Sequence, residues 1–311
     1  MITGPFRRKQ RPPELAVQPG IVLANDWRRP SVRWGLGTAH TVLLFLLVII
    51  GLGPILWLAK SAITPTLDTI TTPLALFPHG TAWSNLSIAW NTDEVWLYMT
   101  NTVALALGSW AAQIIVATTG AYALSALRPK YGNVIVALLL TTLFVPAVVL
   151  IIPLYVEVVH PPLIHTSFSN SYLGYLAIWL PEAASAFNVI LMKRFFDNLP
   201  REIFEAARID GCGPFRLFFS VVLPMSRPIL GVVSVFALLA SWKDYLWPLL
   251  ILGGNPNVQP LSVRLPLIEQ FTPLGVFLAA MALTCVVPIV GFLVFQRTFL
   301  RGSGLAGAVK G

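Results

Sequence analysis

Between Lys193 and Pro228 the chain reads KRFFDNLPREIFEAARIDGCGPFRLFFSVVLPMSRP, a polar stretch with helix signals of its own. Pro200 stands where a first helical turn tolerates proline, after the capping candidates Asp197 and Asn198. Arg201 to Asp210 contains no breaker, Gly211 supplies a left-handed stop, and Pro214 restarts a helix. In that second helix Phe215, Phe218, Phe219 and Val222 fall at i, i+3, i+4 and i+7, an amphipathic stripe. Leu223-Pro224 ends it, and Pro228 opens the next apolar run. The expected unit is a helix, a glycine elbow and a second helix. Ala206 and Ala207 offer a smooth surface, flanked by the charges of Glu205 and Asp210 and by apolar Ile203, Phe204 and Ile209. So short a helix does not fold alone. It either docks on another protein or lies on a membrane surface or its own subunit.

What surrounds this loop decides the class. Hydrophobic residues make up 56% of the 311 and charged ones 11%, against about 45–50% and about 25% in soluble domains. A water-soluble fold of this size cannot hide that apolar surface, whereas a bilayer needs none hidden. Crossing it takes about 20 mostly apolar residues, and six runs qualify: Leu36–Ala59, Thr102–Leu127, Val134–Val156, Tyr172–Met192, Ile229–Leu252 and Gly275–Gln296. The expected fold is an all-α integral membrane protein with six transmembrane helices. Prolines 146, 153, 181, 248 and 288 interrupt these runs and read as static kinks rather than hinges.

Basic residues set the orientation. They cluster in the tail before Gly35, in the Arg128–Lys130 turn, in Lys193–Pro228 and from Arg297 onward, leaving only Lys60, Lys243 and Arg264 elsewhere. These four regions share one side, so both termini are expected in the cytoplasm. The net charge of +8 is accounted for by this bias, without nucleic-acid binding. Residues 1–35 are expected to form a basic, disordered cytoplasmic extension, residues 36–296 the six-span domain, and residues 297–311 a cytoplasmic tail.

Several chemistries are excluded. Cys212 and Cys285 are too few for a disulfide framework and have no CxxC spacing. The four histidines are scattered, and neither HExxH nor GxSxG occurs. No GxxxxGK[ST] is present, so nucleotide hydrolysis has to come from another chain. The chain is expected to bind no metal or cofactor and to catalyse nothing itself.

Polar residues inside apolar runs mark a cavity, a partner or a pathway. Glu182 lies ten residues into the fourth run, with Trp179 at i−3 and Ala186 at i+4 on the same helical face. An aromatic beside a carboxylate suits a sugar; equally, Glu182 meets a polar group of a partner subunit. Asn188 points elsewhere by helical angle and is a weaker candidate for the path. In the fifth run Asp244 and Trp247 share a face, with Lys243 at i+4 from Trp247. Lys243 either joins them or snorkels outward.

At this point the residues become recognisable. Glu205-Ala206-Ala207, then Asp210-Gly211, Phe215, Val222-Leu223-Pro224 and Pro228 resemble the EAA loop of inner-membrane subunits of binding-protein-dependent ABC importers. Phe144-Val145-Pro146, Ile152–Tyr155, Asn170–Gly174 and Trp242–Pro248 are similar to segments of carbohydrate-importer permeases, and Gly304–Gly311 resembles the tail of the smaller maltose-permease subunit. The resemblance runs from about Val42 to Gly311. It implies a type I ABC importer transmembrane domain in the bacterial or archaeal inner membrane. Its implied partners are a homologous six-span permease, two cytoplasmic ATPases that use ATP and Mg, an extracytoplasmic sugar-binding protein and membrane lipid. By the same resemblance Glu205, Ala206, Ala207, Asp210, Gly211, Leu223 and Pro224 couple to an ATPase. Gly307 and Lys310 reach between the ATPases, and the region of Trp242–Pro248 lines the translocation path.

Two other readings fit less well. A secondary transporter normally carries inverted repeats in one chain and needs no docking loop; no convincing repeat is visible. An importer for amino acids, peptides or anions would share the loop, but not the carbohydrate-type tail and fifth run.

Overall fold

A computed structural model describes residues 30–75, 79–159 and 171–305. Among the described residues the regular elements are all helical. They run α1 (Pro30–Ala62), α2 (Thr66–Thr71), α3 (Ser84–Ser87), α4 (Val95–Tyr122), α5 (Gly132–Thr142), α6 (Ala147–Val159), α7 (Gly174–Ala183) and α8 (Ala186–Asp197). Then follow α9 (Arg201–Ile209), α10 (Pro214–Leu217), α11 (Leu223–Met225), α12 (Arg227–Lys243), α13 (Leu246–Leu252), α14 (Leu261–Phe271) and α15 (Leu274–Leu305). The basic extension as far as Arg29, residues 160–170, and Gly307 and Lys310 lie outside the described residues.

Among the described residues three helices are long and apolar enough to span a membrane: Gly37–Ala62, Val95–Leu127 and Leu274–Leu293. They correspond to the first, second and sixth apolar runs. The other three runs are not straight. The third bends by 104° between α5 and α6, where Pro146 has no N–H to give and forbids the helical geometry of Val145. The fourth bends by 42° between α7 and α8. The fifth breaks after Lys243 into α12 and α13, and α12 is entered at 80° from Pro214–Met225. Counting each bent pair as one crossing gives up to six spans.

The chain divides into two units, Met1–Trp57 and Leu58–Gly311. In the first, α1 exposes an apolar surface on all sides, from Val42 through Ile50 to Leu56, as a helix in hydrocarbon can. The second unit is organised on α4, which contains no proline and continues through a wide turn at Ala123–Leu127. Three apolar clusters lie along it. Val95 and Tyr98 pack with Ala62, Leu261, Ile268 and Val276. Leu105 packs with Tyr175, Ile178, Trp247 and Ile251. Ala121 and Tyr122 pack with Met192, Phe196, Leu217, Phe218 and Val233.

Polar side chains of α4 fasten its neighbours. Asn101 Nδ2 donates to the carbonyls of Asn257 (2.9 Å) and Gln259 (3.0 Å). Thr102 Oγ1 accepts from the Leu261 N–H at 2.8 Å. Gly108 lets the Trp179 indole lie directly on the helix backbone, where a Cβ would overlap the ring.

Candidate coupling surface and polar span residues

The loop folds as the helix and elbow expected from its breakers. α9 ends at Ile209, and Gly211 adopts φ +74°, the left-handed conformation in which a side chain is strained. Its N–H donates to Arg208 O at 3.0 Å, and the Cys212 N–H to Ala207 O at 2.9 Å. These close the helix end. Pro214 then opens α10. The expected side-chain cap is absent: Pro200 precedes α9 without one. Asp197 instead pairs with Lys193 at 2.6 Å and accepts from Ser125 Oγ at 2.7 Å. Asn198 Nδ2 donates to Arg194 O.

The faces of the loop differ from two expectations. Ala206 is exposed, but Ala207 is buried at 8% in the chain's own core, so only one of the two alanines belongs to the outer surface. The phenylalanine stripe also splits. Phe218 and Val222 are buried, whereas Phe215 is 82% and Phe219 62% exposed. A turn of wider pitch at Phe218–Val222 puts these neighbours out of ordinary helical register. The outer face therefore consists of Glu205, Ala206, Asp210, Gly211, Phe215, Phe219 and Ile209, the last 87% exposed. Leu223 is half-buried against the inner cluster and Pro224 is exposed.

The inner face is tied to the long helix. Tyr122 Oη donates to the carbonyl of Pro214 at 2.8 Å, and its ring lies 5.0 Å from that of Phe218. Under α9 a cavity of about 200 Å³ is lined by Ser125, Arg128, Asp197, Arg201, Glu205 and Arg208, among others.

The polar residues of the apolar runs do not form one face. The break at Asp244 and Tyr245 removes the i, i+3 relation of Asp244 to Trp247, because no continuous helix joins them. Trp247 is buried and its Nε1 donates to Ala177 O at 3.2 Å. Asp244 lies against the backbone N–H groups of Tyr245, Leu246 and Trp247, at the start of α13. Lys243 is exposed at the end of α12.

In the fourth run the bend after Ala183 takes Ala186 off the face of Glu182. Trp179 Nε1 donates to Leu105 O at 3.0 Å. Asn188 is buried and donates from Nδ2 to Gln113 Oε1 at 2.7 Å. Trp179, Asn188 and Trp247 thus hold helices together. Glu182 is different: Ser109 and Ser241 are its polar neighbours, Asp244 lies within electrostatic reach, and its buried Oε2 has no protein partner.

Asp93 and Arg264 were not singled out from the sequence as a site. Both line a cavity of about 180 Å³ between the turn before α4 and α14. Burial lifts the Asp93 carboxyl above the usual carboxylate range, against the opposing pull of the Arg264 guanidinium. The only sequence signal was that Arg264 is one of few cations outside the basic regions.

Comparison with known proteins bears on this arrangement. Residues 118–302 match the family model described as "Binding-protein-dependent transport system inner membrane component". The chain is 34% identical over 277 residues to the sn-glycerol-3-phosphate transport system permease protein UgpE of Salmonella typhi, covering 85% of this chain and 94% of that protein. It is 33% identical over 269 residues to the permease of the same name from Pectobacterium atrosepticum, covering 82% and 93%. A crystal structure of a bacterial ABC transporter involved in the import of the acidic polysaccharide alginate contains a chain of similar fold. Its TM-score is 0.74 at 21% identity, covering 87% of this chain and 98% of that one.

Proposed function

This chain belongs to the family of inner membrane components of binding-protein-dependent transport systems, and from that we propose a gate worked from its basic side by a separate ATPase. The protein is a multi-pass inner-membrane permease. We place both termini and the Lys193–Pro228 loop in the cytoplasm, following the basic residues. The partners are a homologous permease, two ATPases that hold ATP and Mg, an extracytoplasmic binding protein and lipid. The proposed cargo is a sugar or sugar-like phosphate, in keeping with the sn-glycerol-3-phosphate permeases among the relatives.

One observation carries the reading. The helix Arg201–Ile209 and its Gly211 elbow are anchored through Ala207, Phe218 and Tyr122 to α4, while Glu205, Ala206, Asp210, Ile209, Phe215 and Phe219 remain uncovered. An exposed apolar rim next to charge, on a short helix fixed from behind, suits a cleft of another protein. Motion of that protein then carries the anchored helix and the spans behind it. Gly307 and Lys310 would add a second contact between the ATPases. Glu182, beside Ser109 and Ser241, is the polar span residue best suited to face a solute or the partner permease.

The test is reconstitution with the partner permease, the ATPase and the binding protein in vesicles. ATP-dependent uptake of labelled sn-glycerol 3-phosphate or maltose is the expected result. Uptake of amino acids instead would favour an importer of another cargo. Accumulation by this chain without companions would overturn the gate model.

A further inference from the structure

Two oppositely charged side chains border one small volume without satisfying each other. The cavity of about 180 Å³ between the turn before α4 and α14 is lined by Thr92, Asp93, Glu94, Arg264, Phe271 and Thr272, among others. Asp93 Oδ2 and Arg264 Nε are both buried and have no protein partner. Neither residue belongs to an ion pair among the described residues. Arg264 cannot readily swing across, because its guanidinium lies 5.2 Å over the ring of Tyr98, which is buried in the apolar cluster. Glu94 holds the turn at φ 53°, an uncommon conformation for a residue other than glycine. A buried acceptor and a buried donor are costly while unpaired. A small side-chain shift that opens both atoms to the cavity would let a ligand present a hydroxyl hydrogen to the carboxylate and an adjacent hydroxyl oxygen to the guanidinium.

We propose that this cavity is a recognition subsite for a neutral vicinal diol, the hydroxylated part of a sugar or polyol. One hydroxyl donates to Asp93 while its neighbour accepts from Arg264. Phe271, 82% exposed at the rim, offers its ring to the C–H face of a pyranose. A phosphate group does not suit the place, since Asp93 and Glu94 oppose it with two carboxylates against one guanidinium. A sugar phosphate would therefore enter by its hydroxyl end. The inference rests on the importer reading only for its claim that this diol is cargo.

The experiment uses the full chain in lipid nanodiscs, with glycerol, glucose and maltose as probes in saturation-transfer NMR and inorganic phosphate as the control. A saturable signal from at least one neutral probe and none from phosphate is expected. Asp93→Asn and Arg264→Gln should each cut that signal at least fivefold. Phe271→Ala, at an exposed position the fold does not need, should weaken glucose and maltose more than glycerol. The proposal is overturned if no probe gives a saturable signal, if phosphate binds, or if the two charge substitutions leave the signal intact. Intact diol signals with no uptake would count against the importer reading alone; intact uptake with no diol signal would count against this subsite alone.

Discussion

The hydroxyl of Tyr122, near the end of the longest unbroken span, donates to the backbone carbonyl of Pro214 at the restart after the glycine elbow, 2.8 Å away and 92 residues along the chain. This bond joins a membrane helix to the loop that carries the proposed docking face. Tyr122→Phe keeps the ring against Phe218 and removes only the donor. A lost hydrogen bond of this kind is worth about 0.5–1.5 kcal/mol. Uptake by the reconstituted complex should fall while ATP hydrolysis continues. Unchanged coupling between hydrolysis and uptake would show that the bond does not transmit motion.

Gly211 needs its left-handed backbone, but a Cβ there would meet nothing within 4 Å. The obstacle to substitution is conformational and not steric. Left-handed geometry costs an L-residue roughly 1–2 kcal/mol, more when it is β-branched, whereas asparagine tolerates it. Gly211→Val should uncouple transport with normal membrane insertion, and Gly211→Asn should retain most uptake. Equal behaviour of the two variants would rule out the elbow geometry as the cause.

Ile209 and Phe215 have little of their own surface covered in this chain. Ile209→Asp with Phe215→Asp should therefore leave the unfolding free energy of the isolated permease nearly unchanged, within about 0.5 kcal/mol. Co-purification with the ATPase should be lost, and Glu205→Lys should weaken it. Full retention of the ATPase by the double variant would move the docking face elsewhere.

Gly108 is the opposite case to Gly211: its backbone is ordinary, but the Trp179 indole occupies the place of a side chain. Gly108→Ala forces the ring away and breaks the Nε1 bond to Leu105 O. Overpacking of this kind costs on the order of 1–3 kcal/mol. Combining it with Trp179→Leu should recover part of the stability, measured by thermal unfolding in detergent. Additive losses in the double variant would contradict the direct contact.

The loop was legible because its signals are local. Pro200, Gly211 and Pro214 act through their own backbone restrictions, and the structure puts helix, stop and restart at those positions. The apolar runs were legible as composition, since hydrocarbon selects for it regardless of packing. Facing relations were less so. Pairing Glu182 with Ala186, or Asp244 with Trp247, presumes an unbroken helix, and the chain bends between the members of each pair. Nor does spacing say that Ala207 turns inward while Ala206 turns outward, because that depends on Phe196 and Phe218 arriving from other helices. Asp93 and Arg264 meet only through tertiary folding, across more of the sequence than any local period covers.

The 33 residues from Val95 to Leu127 form a shaft of about 50 Å at 1.5 Å per residue, with a tyrosine working near either extremity. Tyr98 sits beneath Arg264 at one, and Tyr122 grips the Pro214 carbonyl at the other. Helices around it are broken by bends of 42° to 104°, but this rod contains no proline and no such joint to absorb tilt. Torque reaching one tyrosine is passed along the rod to its counterpart, so if the loop is driven and the Asp93–Arg264 cavity holds a solute as proposed, the two share a single axle.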